Sequence, residues 1–241
     1  MNPFIQFVKD LSDRLGSGFS SLNQNDPGKV AYVRNLEREM KSRDVMDIPL
    51  DELPVVVFDL ETTGFYPYNG DTILSVGAVK VQGGEVLTDE TFYSLVHHEE
   101  GLSDEIAELT GLTDEQLEEA PPLRDVLKQF YAFVKEDVLV AHHAHHEKQF
   151  MSHSTWTALR KSFQHRIVDS ALLPKLAQHD IELNSLDQCC DYYGIAVEQR
   201  HHALYDAMAT AELWVEGIRE LREKGLVDLK DMYTQLALME G

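Results

Sequence analysis

One run constrains this chain more than any other: Val55-Val56-Val57-Phe58-Asp59-Leu60-Glu61-Thr62-Thr63-Gly64. Four apolar residues, three of them β-branched, read as a buried strand. The strand ends in two carboxylates at i and i+2. Side chains alternate across a strand, so Asp59 and Glu61 point to the same side. Two neighbouring anions near a strand's end repel each other and are costly unless a cation sits between them. A hard divalent cation bound through oxygen is the simplest compensation. The plainer alternative is a polar strand end that frays into a loop, with each carboxylate solvated.

The 241 residues suffice for one domain plus an extension, or for two small domains. No apolar run approaches the roughly 20 residues of a membrane span. The N-terminus lacks the basic start, apolar centre and cleavage site of a secretory signal. Cys189 and Cys190 are adjacent, an unsuitable pair for a structural disulfide, so a reducing cytoplasm is expected. The net charge of -21 is unevenly placed, because residues 1–50 carry seven basic and seven acidic side chains. Residues 85–125 hold thirteen acidic side chains against the single Arg124. Such a surface repels a long phosphate backbone and argues against a tight scaffold for long DNA, but leaves room for an enzyme that grips one strand end.

Residues 1–50 read as a helical extension and 51–241 as the main domain. Phe4, Ile5, Phe7, Val8, Leu11 and Leu15 form an amphipathic helical pattern, and Asp26-Pro27 opens a second helix. The extension has two readings: an arm that docks a protein partner or a second copy, or a segment packed on its own domain. In the main domain, strands are expected over 72–82 and 86–96, joined at Gly83-Gly84. Short helices follow at 104–110 and after Thr113, then a helix over Leu123–Val134 and an apolar strand over Val138–Ala141. A helix from Glu147 to Leu159, a strand at 166–169 and helices near 170–178, 185–193 and 203–223 complete the order. Three strands followed by alternating strands and helices predict an α/β domain with a mixed sheet flanked by helices.

Chemistry concentrates at Asp59 and Glu61, at Glu147 inside His142-His143-Ala144-His145-His146-Glu147, and at His201 and Asp206. Five residues turn an ideal helix by about 500°, so His201 belongs on the loop entering the last helix and Asp206 one turn inside. Ala203, Ala207, Ala209 and Ala211 would let that helix lie close on the sheet. Taken alone, a solvated loop histidine and an exposed helical aspartate describe the pair better.

Asp59-Leu60-Glu61-Thr62-Thr63-Gly64 resembles the first motif of the DEDDh 3′–5′ exonucleases. That superfamily includes the epsilon subunit of bacterial DNA polymerase III, ribonuclease T and oligoribonuclease. His201 through Asp206 resembles the third motif, and Ile106 through Thr113 the segment after the third strand. The resemblance covers roughly residues 55–223 and implies a ribonuclease H-like fold. The middle motif departs from the pattern His-Asn-Ala, a variable residue, Phe-Asp. Here His143 and His146 replace asparagine and phenylalanine, and Glu147 replaces aspartate.

The resemblance implies that Asp59, Glu61 and Asp206 hold two divalent cations, Mg²⁺ or Mn²⁺, with Glu147 completing the set. It implies His201 as general base. Backbone at Thr62, Thr63 and Gly64 would contact the terminal nucleotide, with Phe65 and Tyr66 as stacking surfaces and His142 in the pocket. The implied activity is metal-dependent 3′–5′ hydrolysis at single-stranded or short DNA or RNA 3′ ends. The alternative is a catalytically impaired binding or scaffold protein on the same fold. The histidine run also admits a transition-metal site. Arg160, Lys161, His165 and Arg166 either steer a phosphate backbone or cap a solvated helix end.

Overall fold

The computed structural model describes residues 45–177 and 183–239, so the helices expected over 4–15 and after Asp26-Pro27 lie outside them. Five strands form one sheet: β1 (Val55–Thr62), β2 (Ile73–Gln82), β3 (Glu85–Leu95), β4 (Val138–Ala141) and β5 (Ile167–Asp169). Their order is β3-β2-β1-β4-β5. β2 runs antiparallel to both β1 and β3, whereas β1, β4 and β5 are parallel. The mixed sheet is therefore as expected, with the β2–β3 hairpin turning at Gly83-Gly84.

Helices cover both faces: α1 (Asp104–Thr110), α2 (Asp114–Glu118), α3 (Leu123–Val134) and α4 (His145–Leu159) come first. They are followed by α5 (Leu172–Ala177), α6 (Leu186–Tyr193), α7 (Ala203–Glu223) and α8 (Leu229–Met239). Ser103, Thr113 and Ser185 cap α1, α2 and α6 by accepting backbone N–H bonds, which relieves the donors every helix start leaves unpaired. The helix α8 was not expected. Leu229, Met232, Tyr233 and Leu236 give it an apolar side packed on the core.

The sheet's parity divides the core. Val55 and Val57 of β1 join Val79, Val81, Val140 and Trp214 under α7 and α8. Val56, Phe58 and Leu60 pack on the opposite face with Phe130, Phe150 and Met151 of α3 and α4. Asp59 and Glu61 follow the first parity and so rise on the α7 side. Leu50 and Leu53, ahead of β1, are buried in that same half of the core. No helix among the described residues is long and apolar enough to cross a membrane.

One contact sets the height of α7 above the sheet. Gly77 of β2 is paired with Asp59 of β1, and a Cβ added to Gly77 would overlap the backbone of Ala203 and Leu204. Glycine inside a strand otherwise weakens it, and here it admits a close backbone approach. The first turn of α7 thus rests directly beside the acidic end of β1.

Candidate active site

Asp59, Glu61 and Asp206 each offer a carboxylate oxygen, and these atoms lie within 4.8 Å of one another. Two come from β1 and the third from the first turn of α7, brought in by the Gly77 approach. The β1–β2 register shifts between Glu61 and Thr62, so the ladder breaks where the acidic pair gives way to the loop. Glu147 projects from the first turn of α4, 4 % exposed, with Oε2 lacking a hydrogen-bond partner.

The electrostatics of this group are those of anions without enough countercharge. Burial, then the charges of Glu147, Glu61 and Asp206, pushes the Asp59 carboxyl well above the usual range. Burial and Asp206 push Glu61 up to about 7. Burial pushes Glu147 up to about 8, with the charges of Asp169 and Glu61 acting in the same direction. A bound cation would reverse these costs, and an all-oxygen carboxylate set suits a hard divalent ion. The orphaned Oε2 of Glu147 fits the same demand.

A residue that motif reasoning missed sits among them. The Arg200 guanidinium pairs with Asp206 and, through Nε, with Asp187. His201 follows with φ of 60°, and its backbone N–H donates to Asp206 Oδ2 at 2.9 Å. His201 therefore precedes α7, whereas His202 at the N-cap stacks on Tyr93 at 4.6 Å between ring centres.

The histidine run does not converge on one point. His142 Nδ1 shares a hydrogen bond with Ser170 Oγ at 2.9 Å, and burial, then His143 and Arg200, pulls its pKa down to about 4. The His143 N–H donates to Asp169 Oδ1 and its Nε2–H to the Asn184 carbonyl, both at 2.9 Å. His145 Nε2 accepts from Gln149, and His146 Nε2 lies 3.4 Å from Thr62 Oγ1. Each imidazole has a separate partner, and the acidic trio is the metal-ligand cluster found among the described residues. His146 takes the apolar position of the middle motif by packing against Phe150 and Phe65.

The loop after β1 is tied down by Asp71, another unforeseen residue. Its Oδ2 accepts the Tyr66 N–H at 2.8 Å and its Oδ1 faces Thr63 Oγ1 at 3.4 Å. A Cβ on Gly64 would meet that carboxylate at 2.5 Å. The anchored backbone of Thr62, Thr63 and Gly64 leaves Phe65 and Tyr66 projecting into solvent. In the basic group, His165 donates to the Lys135 carbonyl and stacks on Tyr131, while Arg166 reaches Met46. Arg160 and Lys161 stay exposed.

Residues 56–214 match the exonuclease family model of the ribonuclease T type. The DNA polymerase III PolC-type protein of Bacillus subtilis (strain 168) is 34% identical over 178 residues, spanning 73% of this chain and 12% of that one. The DNA polymerase III subunit epsilon-like protein of Rhodobacter capsulatus is 31% identical over 210 residues, 86% of this chain and 30% of that one. This chain thus spans less than a third of either relative. Among solved structures, the nuclease domain of 3'hExo, a DEDDh family member bound to rAMP, superposes with a TM-score of 0.59 at 19% identity. That likeness covers 70% of this chain and 92% of the other, and it establishes the ribonuclease H-like fold.

Proposed function

This chain belongs to the exonuclease family, and from that premise we propose that it removes nucleotides from the 3′ end of single-stranded or short DNA or RNA. The observation that carries the reading is the convergence of Asp59, Glu61 and Asp206 within 4.8 Å on the face where α7 meets β1. Two divalent cations, Mg²⁺ or Mn²⁺, held by these residues with Glu147 alongside, would activate a water and stabilise an in-line displacement. The role assigned to His201 is to take the proton from that water, as general base. Its backbone bond to Asp206 supports the assignment by tying its loop to the ligand set. Thr62, Thr63 and Gly64 would hold the terminal nucleotide, with Phe65 and Tyr66 stacking on its base and His142 lining the pocket neutral. Residues 51–241 are taken as the exonuclease domain and 1–50 as an arm for a protein partner or a second copy. The free, buried Cys189 and Cys190 support a cytoplasmic setting.

Incubation of 5′-labelled single-stranded DNA and RNA with Mg²⁺ or Mn²⁺ tests the proposal, with EDTA and Asp59→Asn as controls. A ladder shortening from the 3′ end and abolished by both controls is expected. Intact oligomers beside a folded, metal-binding protein would favour the second reading, a binding or scaffold protein. The pairing of Arg200 with Asp206 and the longer side chain at Glu147 are the observations that favour it. Cleavage restored by Glu147→Asp would locate the impairment.

A further inference from the structure

The solvent side of α4 carries a second feature, which meets the loop after β1 where His146 lies against Thr62 and Phe65. Although the chain holds 42 acidic residues, none occurs from Lys148 to Val168. The one carboxylate of α4, Glu147, is buried. His146, His153, Trp156 and Arg160 follow at helical spacing and fall within roughly 80° of one another around the axis. Trp156 is 57% exposed, and the adjoining loop presents Phe65 at 74% and Tyr68 at 66%. These rings are joined edge-on by histidines: Phe65 meets His146 at 5.8 Å and Tyr68 meets His153 at 5.1 Å. Arg160 and Lys161 close the far end as exposed cations.

Exposed rings of this size mark an interaction surface, and a strip of aromatics ending in cations on an otherwise anionic body suits a polyanion with flat bases. A purely apolar partner would leave the cations unmatched, and an acidic peptide would bring no flat bases to the rings. We propose that this strip is a binding track for the single strand lying 5′ of the scissile bond. In it Tyr68 and Trp156 stack on bases upstream of the terminal nucleotide that Phe65 meets, and Arg160 and Lys161 bind phosphates. α4 is about 22 Å long, which at 3.4 Å per stacked nucleotide accommodates on the order of six. The track rests on the exonuclease reading for its direction, with the 3′ end at Glu147 and the upstream strand toward Arg160. It supplies local attraction that the net charge denies elsewhere.

The test is binding of 5′-labelled oligo(dT) and oligo(U), two and eight nucleotides long, read by anisotropy in Ca²⁺. Quenching of Trp156 is followed in parallel, Trp214 being wholly buried. Wild-type affinity is expected to rise with length and Trp156 emission to fall with the octamer. The double variant Y68A/W156A should weaken the octamer about tenfold and flatten the length dependence. R160Q/K161Q should lower the slope of log K against log[salt] by about 1.4, as expected for two phosphates on a single strand. The DNA and RNA arms identify which polymer the track prefers. Octamer affinity unchanged in Y68A/W156A, or wild-type affinity independent of length, would overturn the track. Cleavage with length-independent affinity removes the track alone. Length-dependent binding without cleavage removes the exonuclease reading instead, leaving a single-strand binder.

Discussion

The Arg200 guanidinium pairs with Asp206, so a fixed positive charge stands on one member of the carboxylate trio. A metal ion binding there meets a competitor already attached to the chain. Arg200→Gln is expected to tighten Mn²⁺ binding about three- to tenfold. That corresponds to about 1 kcal/mol, since the guanidinium is partly solvated. Calorimetric titration reads this directly, and weaker binding would show Arg200 supporting the site.

Glu147 makes the metal-free protein sensitive to pH. Its carboxyl is pushed up to about 8, while in the unfolded chain it titrates in the ordinary carboxylate range. Between those values the folded state holds the extra proton, so stability falls as pH rises through the window and levels off above about 8. Glu147→Gln should remove this contribution. In EDTA the variant is expected to melt at least 2–4 °C above wild type at pH 8.5, the shift for about 1 kcal/mol, and close to it at pH 5. Equal Tm differences at both pH values would refute the assignment.

Gly77→Ala puts a methyl group into the backbone of Ala203 and Leu204. Overpacking of this kind costs about 1–3 kcal/mol, and here relief requires α7 to lift from β2. Nuclease activity per folded molecule should drop at least a hundredfold, because Asp206 moves with the helix. Activity near wild type in a stable variant would mean that α7 accommodates the methyl in place.

His201→Ala separates proton transfer from ligand geometry. The backbone N–H that holds Asp206 survives the change, so Mn²⁺ affinity is expected to stay within about twofold. The value of kcat should fall about 10²–10⁴-fold, the range for a lost general base. Parallel loss of metal binding would instead give the imidazole a structural role.

Much of the fold was legible because its signals are local. The apolar run of β1, the glycines of the hairpin, and the caps at Ser103 and Thr113 each act within a few residues. β1 parity likewise put Asp59 and Glu61 on one side. Asp206 came through resemblance to a motif, since nothing in its own neighbourhood says which strand α7 will meet. Arg200 and Asp71 pair with residues 5 to 13 positions away, through loop geometry that no apolar period or cap signal announces. Gly77, inside the largely apolar strand β2, did leave a signal: glycine inside a strand marks a close backbone approach. The expected start of α4 at Glu147 fell two residues late, because His145 and His146 have no apolar periodicity to announce a first turn. α8 left a signal too: Leu229, Met232, Tyr233 and Leu236 stand at i, i+3, i+4 and i+7, the spacing of a helix with one apolar side.

The seating of α7 on Gly77 has a temporal consequence. Asp59 and Asp206 are separated by 147 positions, and the ligand set exists only once the late helix has settled on the early hairpin. A nascent chain emerging from the ribosome carries β1 and its acidic pair long before α7 has been made. On the proposed function such a chain would have no assembled site with which to cut the nucleic acids around it, and completion of the fold would act as its safety catch.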